Sequence, residues 1–131
     1  MNGRRLVIFI LVAIASTGCT RKSGPILAGG KPVDEWVRAL SDPDARLREK
    51  AVEKLGNVGA SDPAVVPALC GMLQDKSADV RCQAILALAK SGADAKVAVE
   101  PLKVICRQDR DSRVRNYAAK ALEKFTTPPP R

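Results

Sequence analysis

The sequence predicts an all-α protein, a short α-solenoid of about three helix-turn-helix repeats. A segment that begins with aspartate recurs at Asp42, Asp75 and Asp109, in steps of 33 and 34 residues, and such periods are typical of helical repeat arrays. Within each copy the apolar residues recur every four positions, which places them on one face of a helix. Apolar residues make up 46% of the chain and aromatic residues 3%, a composition rich in Ala, Val and Leu that favours packed helices over a sheet.

The second helix of each repeat follows its aspartate, and its apolar positions align without gaps. The aligned positions are Leu47, Val80 and Val114, then Ala51, Ala84 and Ala118, then Leu55, Leu88 and Leu122. We expect these residues to form the buried stripe of three equivalent helices. The alanines in the middle of each helix allow a neighbouring helix to approach closely.

A first helix precedes each of these segments. The three first helices contain, in order, Val33, Trp36, Val37 and Leu40; Val65, Val66, Leu69, Met72 and Leu73; and Val97, Val99, Leu102 and Ile105. Gly56, Gly59, Ser91 and Gly92 lie where the first two of these second helices are expected to stop. The repeats therefore cover about 32–59, 60–93 and 94–126, which together form one domain at 32–126, and a Pro-rich tail follows at 127–131.

The net charge divides unevenly along the chain. The whole chain holds 22 Lys and Arg residues against 14 Asp and Glu residues, which gives a formal charge of +8. Residues 33–126, however, hold 16 basic and 14 acidic residues, a charge of only +2. A nucleic-acid footprint normally clusters on the folded body, so we expect no nucleic-acid partner.

The N-terminal segment has the pattern of an export signal. Met1–Arg5 is basic, and Leu6–Ala15 is an apolar run of ten residues, which is shorter than the about 20 needed to span a bilayer. The following Gly18-Cys19 resembles the lipobox of bacterial lipoproteins. That resemblance implies a signal peptide at 1–18 and a lipidated Cys19 that begins a flexible tether at 19–31. The alternative is an ordinary cleaved signal in which Cys19 is incidental.

The repeats resemble the HEAT-like repeats of the PBS-lyase type, with their D-P-D-x-x-V-R-x-x-A-x-x-A-L pattern. Asp42-Pro43-Asp44, Arg48 and Ala51 follow that pattern, and the two later copies follow it with substitutions. The resemblance implies a binding scaffold and an Asp/Arg ladder that ties turns and adjacent repeats together. The ladder residues are Asp42, Arg48, Asp75, Arg81, Asp109 and Arg115, and we expect them to be structural.

A binding surface is expected on the exposed side of the second helices, which usually form the concave face of a solenoid. Once the buried stripe is set aside, three rows of equivalent exposed positions remain on this side, and one of these rows consists of Arg46, Asp79 and Arg113. The candidate partner-binding residues are Lys50, Glu53, Gln83, Leu86, Arg113, Tyr117 and Lys120. Leu86 and Tyr117 stand out because exposed apolar or amphipathic residues can anchor a contact, although isolated ones are also ordinary.

Several kinds of site are excluded or left open by the composition. The chain has no histidine, which excludes histidine-based triads and metal sites. The spacing of Cys70, Cys82 and Cys106 matches no zinc pattern. We therefore expect no catalytic residue, metal or cofactor. We expect these cysteines to be free, mostly buried thiols, with some exposure at Cys82; an intermolecular bridge through Cys82 is the alternative.

The sequence thus predicts a membrane-anchored lipoprotein of the bacterial cell envelope that binds a protein partner without catalysis. The residue after Cys19 is Thr20; the absence of an aspartate there favours an outer-membrane lipoprotein facing the periplasm in a diderm bacterium. Two alternatives stay open. The first is a self-associating structural component whose open solenoid ends stack on further copies, unless Trp36 and Phe125 cap them. The second is a binder of anionic ligands or nucleic acid.

Overall fold

The structure, a computed structural model, describes residues 26–127, apart from the side chains of residues 93 and 94. Its elements are β1 (Leu27–Ala28), β2 (Lys31–Pro32), α1 (Val33–Ala39), α2 (Ala45–Val58), α3 (Val65–Met72), α4 (Ala78–Ser91), α5 (Val99–Gln108) and α6 (Ser112–Thr126). Short 3-10 segments, Gly59–Ser61 and Gly92–Ala98, connect the repeats. The expected signal peptide, Cys19 and residues 19–25 of the tether lie outside the described residues, as do residues 128–131.

The six helices form two layers. The second helices of the repeats, α2, α4 and α6, pack side by side, and α1, α3 and α5 pack on them as an outer layer. The outer-layer helices contact one another far less than the second-layer helices do, as expected for the outside of a curved stack. The predicted fold class, a short all-α solenoid of three helical hairpins, is confirmed.

Small residues let the second-layer helices approach each other closely. Ala51, Ala84 and Ala118 are fully buried at equivalent positions, as the repeat alignment predicts. Gly56 of α2 lies directly against α4, since a Cβ at this position would sit 2.7 Å from the Cβ of Ala87. The core therefore runs continuously from one repeat to the next.

The first position of the predicted stripe differs between repeats. Val80 and Val114 are fully buried, but Leu47 is 40% exposed, so the expectation that Leu47 is buried is wrong. The reason is its place in the stack: α4 and α6 each follow another second-layer helix, whereas no repeat precedes α2 within the described residues. Alignment of repeats cannot show this end effect.

A β-hairpin covers part of the N-terminal end of the stack. β1 and β2 pair antiparallel through a turn at Gly29 and Gly30, both of which have positive φ, the geometry that glycine adopts at little cost. Trp36 donates its Nε1–H to the carbonyl of the buried Ala28 at 2.6 Å. The sequence assigns residues 27–31 to the flexible tether, whereas in the structure they pack on the helical body.

The hairpin lies where a preceding repeat would pack. Gly29 lies beside the Lys54 side chain, which is 3.1 Å from a Cβ built at this glycine. Lys54 aligns with Ala87, the residue that α4 presents to Gly56 of the preceding helix. The hairpin thus takes the place of a preceding second-layer helix over this part of α2.

No helix within residues 26–127 has both the length and the apolar character that crossing a bilayer requires.

Candidate functional site

Recurring turns set the start of each second-layer helix. Asp44 and Asp111 are N-caps, and their carboxylates accept hydrogen bonds from the backbone N–H groups of Arg46 and Arg113 at 2.9 and 2.8 Å. Ser77 occupies the same position before α4 but makes no side-chain capping bond. Equivalent starts bring the three helices into register, so that residues one repeat apart lie side by side.

Buried arginines connect each repeat to the next. Arg48 donates from Nε and Nη2 to the carboxylate of Asp75 at 2.8 and 3.0 Å, and Arg81 binds Asp109 in the same bidentate way at 2.8 and 2.8 Å. All four side chains are at most 9% exposed. Each arginine also donates from Nη1 to the carbonyl of the aspartate at its own turn, Asp42 or Asp75. The ladder therefore satisfies turn carbonyls and joins neighbouring repeats.

The ladder carboxylates are held in the ionised form. Burial alone would raise the pKa of Asp109, but hydrogen bonds from Arg81 and from the Asp111 N–H, together with the charge of Arg81, outweigh it. The pKa of Asp109 therefore lies below its ordinary value, and the pKa of Asp75 is lowered in the same way by Arg48 and the Ser77 N–H. Both groups stabilise the fold when they are charged.

The ladder is incomplete at both ends of the described chain. Arg115 donates from Nη1 to the carbonyl of its own Asp109 at 2.7 Å, but within residues 26–127 it has no carboxylate partner. The Asp42 carboxylate accepts the Asp44 N–H and is bound by no arginine side chain in the same range. Arg115 thus offers a matched comparison for Arg48 and Arg81.

The candidate partner-binding residues all lie on the side of the second layer that faces away from α1, α3 and α5. We call this side the inner face and define it by the residues at i, i+4, i+7 and i+11 of each second-layer helix. It consists of Arg46, Lys50, Glu53 and Asn57 on α2; Asp79, Gln83, Leu86 and Lys90 on α4; and Arg113, Tyr117, Lys120 and Lys124 on α6. Eleven of the twelve are exposed, and Gln83 is half-buried.

Neighbouring helices meet along this face through polar contacts. Arg113 donates to Asp79 of the preceding repeat at 3.1 Å and to Asp111 at its own turn at 3.1 Å. Hydrogen bonds from Arg113 hold the pKa of Asp111 below its ordinary value. The Gln83 amide lies 3.5 Å from the Glu49 carboxylate. Glu53 also pairs with Lys54 at 3.2 Å. Three of the candidate residues, Glu53, Gln83 and Arg113, are therefore partly engaged within the protein.

Two large side chains on the inner face make no such polar contact with the described part of the chain and are open to solvent. Leu86 and Tyr117 are each 38% exposed, on the adjacent helices α4 and α6. The surface predicted from the sequence stops one turn short of the full inner face and does not include Asn57, Lys90 and Lys124. Continuing the same helical spacing by one more turn in each repeat would have found them.

A groove at the turn edge, between the second repeat and α5, is a second concave feature. It has a volume of about 370 Å³ and is lined by residues that include Lys76, Val104 and Arg110. Its two carboxylates, Asp75 and Asp109, are held by ladder arginines. Within the described part of the chain, no group of three or more His, Cys, Asp or Glu side chains is placed to hold a metal ion.

The three cysteines within residues 26–127 are free thiols. Cys82 is buried, so the expected exposure at this position is wrong: the side chain is covered where α4 packs within the second layer. Burial raises the pKa of the Cys82 thiol and also that of the half-buried Cys70. A raised pKa disfavours the reactive thiolate.

The two-layer stack, the repeated ladder and the uncovered inner face together define an α-solenoid repeat protein. Residues 33–128 match the family described as HEAT repeats, and the chain belongs to this family. HEAT repeats commonly mediate protein interaction and scaffolding, and the family is typically non-catalytic. A comparison with curated proteins found no match to this chain.

Proposed function

We propose that the protein is a membrane-anchored, non-catalytic scaffold that binds a protein partner through its inner face. The observation that carries the proposal is the uncovered surface of α2, α4 and α6, on which Leu86 and Tyr117 are exposed side by side with charged residues. The second layer holds this surface rigidly, since its backbone is tied from repeat to repeat by buried bidentate ion pairs. A rigid surface binds a partner with little ordering cost.

The proposed anchor is a lipid-modified Cys19, which follows the basic Met1–Arg5 and the apolar Leu6–Ala15. Acyl chains contribute about 0.8 kcal/mol per buried methylene, so several chains hold a protein stably on a membrane. The described chain enters the stack at its N-terminal end through the hairpin, so this end would face the bilayer. In a diderm bacterium the proposed location is the outer membrane, facing the periplasm. Mass spectrometry should find a diacylglyceryl Cys19 in the membrane fraction, and a soluble chain that begins elsewhere would refute the anchor.

Photocrosslinking in cells tests the binding surface. A crosslinking amino acid placed at Leu86 or Tyr117 should capture a protein partner, because both side chains project from the inner face. Val104 on α5 is the matched control, since it is 51% exposed but lies in the outer layer. Capture from Val104 and not from Leu86 or Tyr117 would refute the proposed surface.

Self-association through the ends of the stack is the second candidate, and it is favoured by Arg115, which has no carboxylate partner within residues 26–127. A further copy stacked head-to-tail would bring its Asp42 to this arginine and extend the ladder. The hairpin opposes this arrangement because it covers the side of α2 on which the added copy would pack. Light scattering of the purified protein separates the candidates: a monomer supports the scaffold, and a concentration-dependent series of larger species supports stacking.

A further inference from the structure

The cations of the inner face are not balanced by its acids. The face carries six basic residues, Arg46, Lys50, Lys90, Arg113, Lys120 and Lys124, and two acidic ones, Glu53 and Asp79. Both acids are already engaged within the protein: Glu53 pairs with Lys54 at 3.2 Å and Asp79 with Arg113 at 3.1 Å. The remaining five cations make no ion pair within residues 26–127.

Several of these cations lie at positions that are unfavourable within the isolated protein. Arg46 and Lys50 are four residues apart on α2, and Lys120 and Lys124 are four residues apart on α6. Like charges at this spacing destabilise a helix. Arg46 also lies in the first turn of α2, at the positive end of the helix dipole, where a cation is disfavoured. Lys90 and Lys124, in contrast, lie in the last turns of α4 and α6, where the helix dipole favours a cation. Helix stability therefore accounts for these two lysines but not for Arg46.

The same surface includes an apolar feature. Leu86 and Tyr117 lie among the cations, on the two adjacent helices α4 and α6. A protein segment can supply carboxylates that pair with the lysines and also an apolar side chain that packs on Leu86. It therefore matches the charged and the apolar parts of the inner face. A nucleic acid would match the lysines but leave Leu86 without an apolar contact, and the face has one aromatic residue on which a base could stack.

We propose that the inner face binds an acidic protein segment, one in which Asp or Glu residues flank an apolar anchor. This inference rests on the proposed function and specifies the chemistry of its partner. Carboxylates of the partner would contact Arg46, Lys50 and Lys120, and its apolar anchor would pack on Leu86 and Tyr117. Binding would relieve the repulsion within α2 and α6, and charge complementarity would accelerate association at low ionic strength.

Fluorescence anisotropy with synthetic peptides tests this assignment on the full chain in detergent. The probe is a labelled peptide in which Glu residues flank a Leu and a Phe, and two matched peptides carry Gln or Lys in place of every Glu. We expect the Glu peptide to bind about tenfold or more tightly than the Gln peptide, more weakly as salt is added, and the Lys peptide not to bind. Equal binding of the Glu and Gln peptides, or no binding of the Glu peptide, would overturn the assignment.

Matched charge reversals locate the binding surface. The inner-face variant is Arg46→Glu/Lys50→Glu/Lys120→Glu. The control is Arg38→Glu/Lys96→Glu/Arg107→Glu, which reverses three exposed charges away from the inner face and changes the net charge equally. We expect the inner-face variant to lose about tenfold or more in affinity for the Glu peptide, and the control much less. Equal losses in the two variants, or tighter binding of an oligothymidine than of the Glu peptide, would overturn the proposal.

A failure of the acidic-segment proposal can be distinguished from a failure of the proposed scaffold function. A partner crosslinked at Leu86 or Tyr117 through a neutral or basic segment would overturn the acidic assignment and leave the scaffold function standing. Capture only from the outer layer would overturn both.

Discussion

The ladder arginine Arg81 provides the sharpest prediction for the stability of the stack. Replacing Arg81 with Met leaves Asp109 as a buried carboxylate, 9% exposed, without its bidentate partner. Removing one member of a buried ion pair typically costs about 3–5 kcal/mol. Asp109 keeps its hydrogen bond from the Asp111 N–H at 2.9 Å, so we expect a loss near the lower limit, about 3 kcal/mol.

Arg115→Met is the matched control for this substitution. Arg115 holds the equivalent position and the equivalent bond to its own turn carbonyl, but it has no carboxylate partner within residues 26–127. Its replacement should therefore cost only about 1 kcal/mol, the contribution of one hydrogen bond. Urea unfolding followed by far-UV circular dichroism measures both variants. A loss for Arg81→Met that is no larger than the loss for Arg115→Met would refute the account of the ladder.

The pH dependence gives an independent check on the same pair. Because the pKa of Asp109 is lowered in the folded protein, its stabilising contribution is present above the unfolded value of about 3.9. That contribution is lost as the pH falls through the lower, folded value. In Arg81→Met the unpaired carboxylate remains buried, which disfavours its charge, so protonation should reduce the penalty. The stability difference between wild type and Arg81→Met should therefore shrink as the pH falls towards 4 and below; a difference that widens would contradict this assignment.

Three further predictions follow from local packing. Gly56→Ala should destabilise the protein by about 1–3 kcal/mol, because the new Cβ would lie 2.7 Å from the Cβ of Ala87. Gly71→Ala should instead stabilise α3 by about 0.5–1 kcal/mol, because its new Cβ would meet nothing within 4 Å. Thermal unfolding of both variants checks this contrast. Trp36→Phe should cost about 1 kcal/mol in urea unfolding by removing the bond that ties the hairpin to α1, and no loss would contradict a docked hairpin. Cys82 should react slowly with iodoacetamide in the folded protein and rapidly in urea, as peptide mass spectrometry would show; equal rates would contradict its burial.

The helical fold was predictable from the sequence because each repeat has the same pattern of apolar and small residues on one helical face. The alanines at 51, 84 and 118 are fully buried because each lies where two second-layer helices meet. The Asp/Arg ladder was expected only from the resemblance to HEAT-like repeats; that Arg48 reaches the carboxylate of Asp75 at the next turn is seen in the structure. Local patterns and long-range packing thus agree in the middle of the stack.

The ends of the stack follow different rules, and there the sequence prediction failed. Leu47 has the pattern of a buried residue but is exposed, because burial at that position depends on a preceding second-layer helix, and residues 26–127 contain none before α2. The hairpin was missed because strands of two residues show no alternation of apolar and polar side chains. Its only signal was the dipeptide Gly29-Gly30, a turn-forming pair that is equally common in flexible linkers.

The inner face was predictable in position but not in full extent. Subtracting the buried stripe from each helix identified Leu86 and Tyr117 as exposed, which they are. The charge imbalance became evident only from the structure, because it depends on which lysines find acidic partners. Lys54 pairs with Glu53, whereas Lys50 finds no acid within residues 26–127.

The central claim is that the inner face binds the partner protein. The most direct test is to identify the partner by crosslinking and then to measure its affinity for two matched variants. Leu86→Ala/Tyr117→Ala truncates the two large apolar or amphipathic side chains exposed on the inner face, and Val104→Ala truncates an exposed apolar side chain of the outer layer. If the inner face is the binding surface, the double variant should raise the dissociation constant about tenfold or more, as expected when central anchors are lost. Val104→Ala should leave the dissociation constant unchanged. A double variant that binds as tightly as wild type, with binding lost instead in Val104→Ala, would contradict the account.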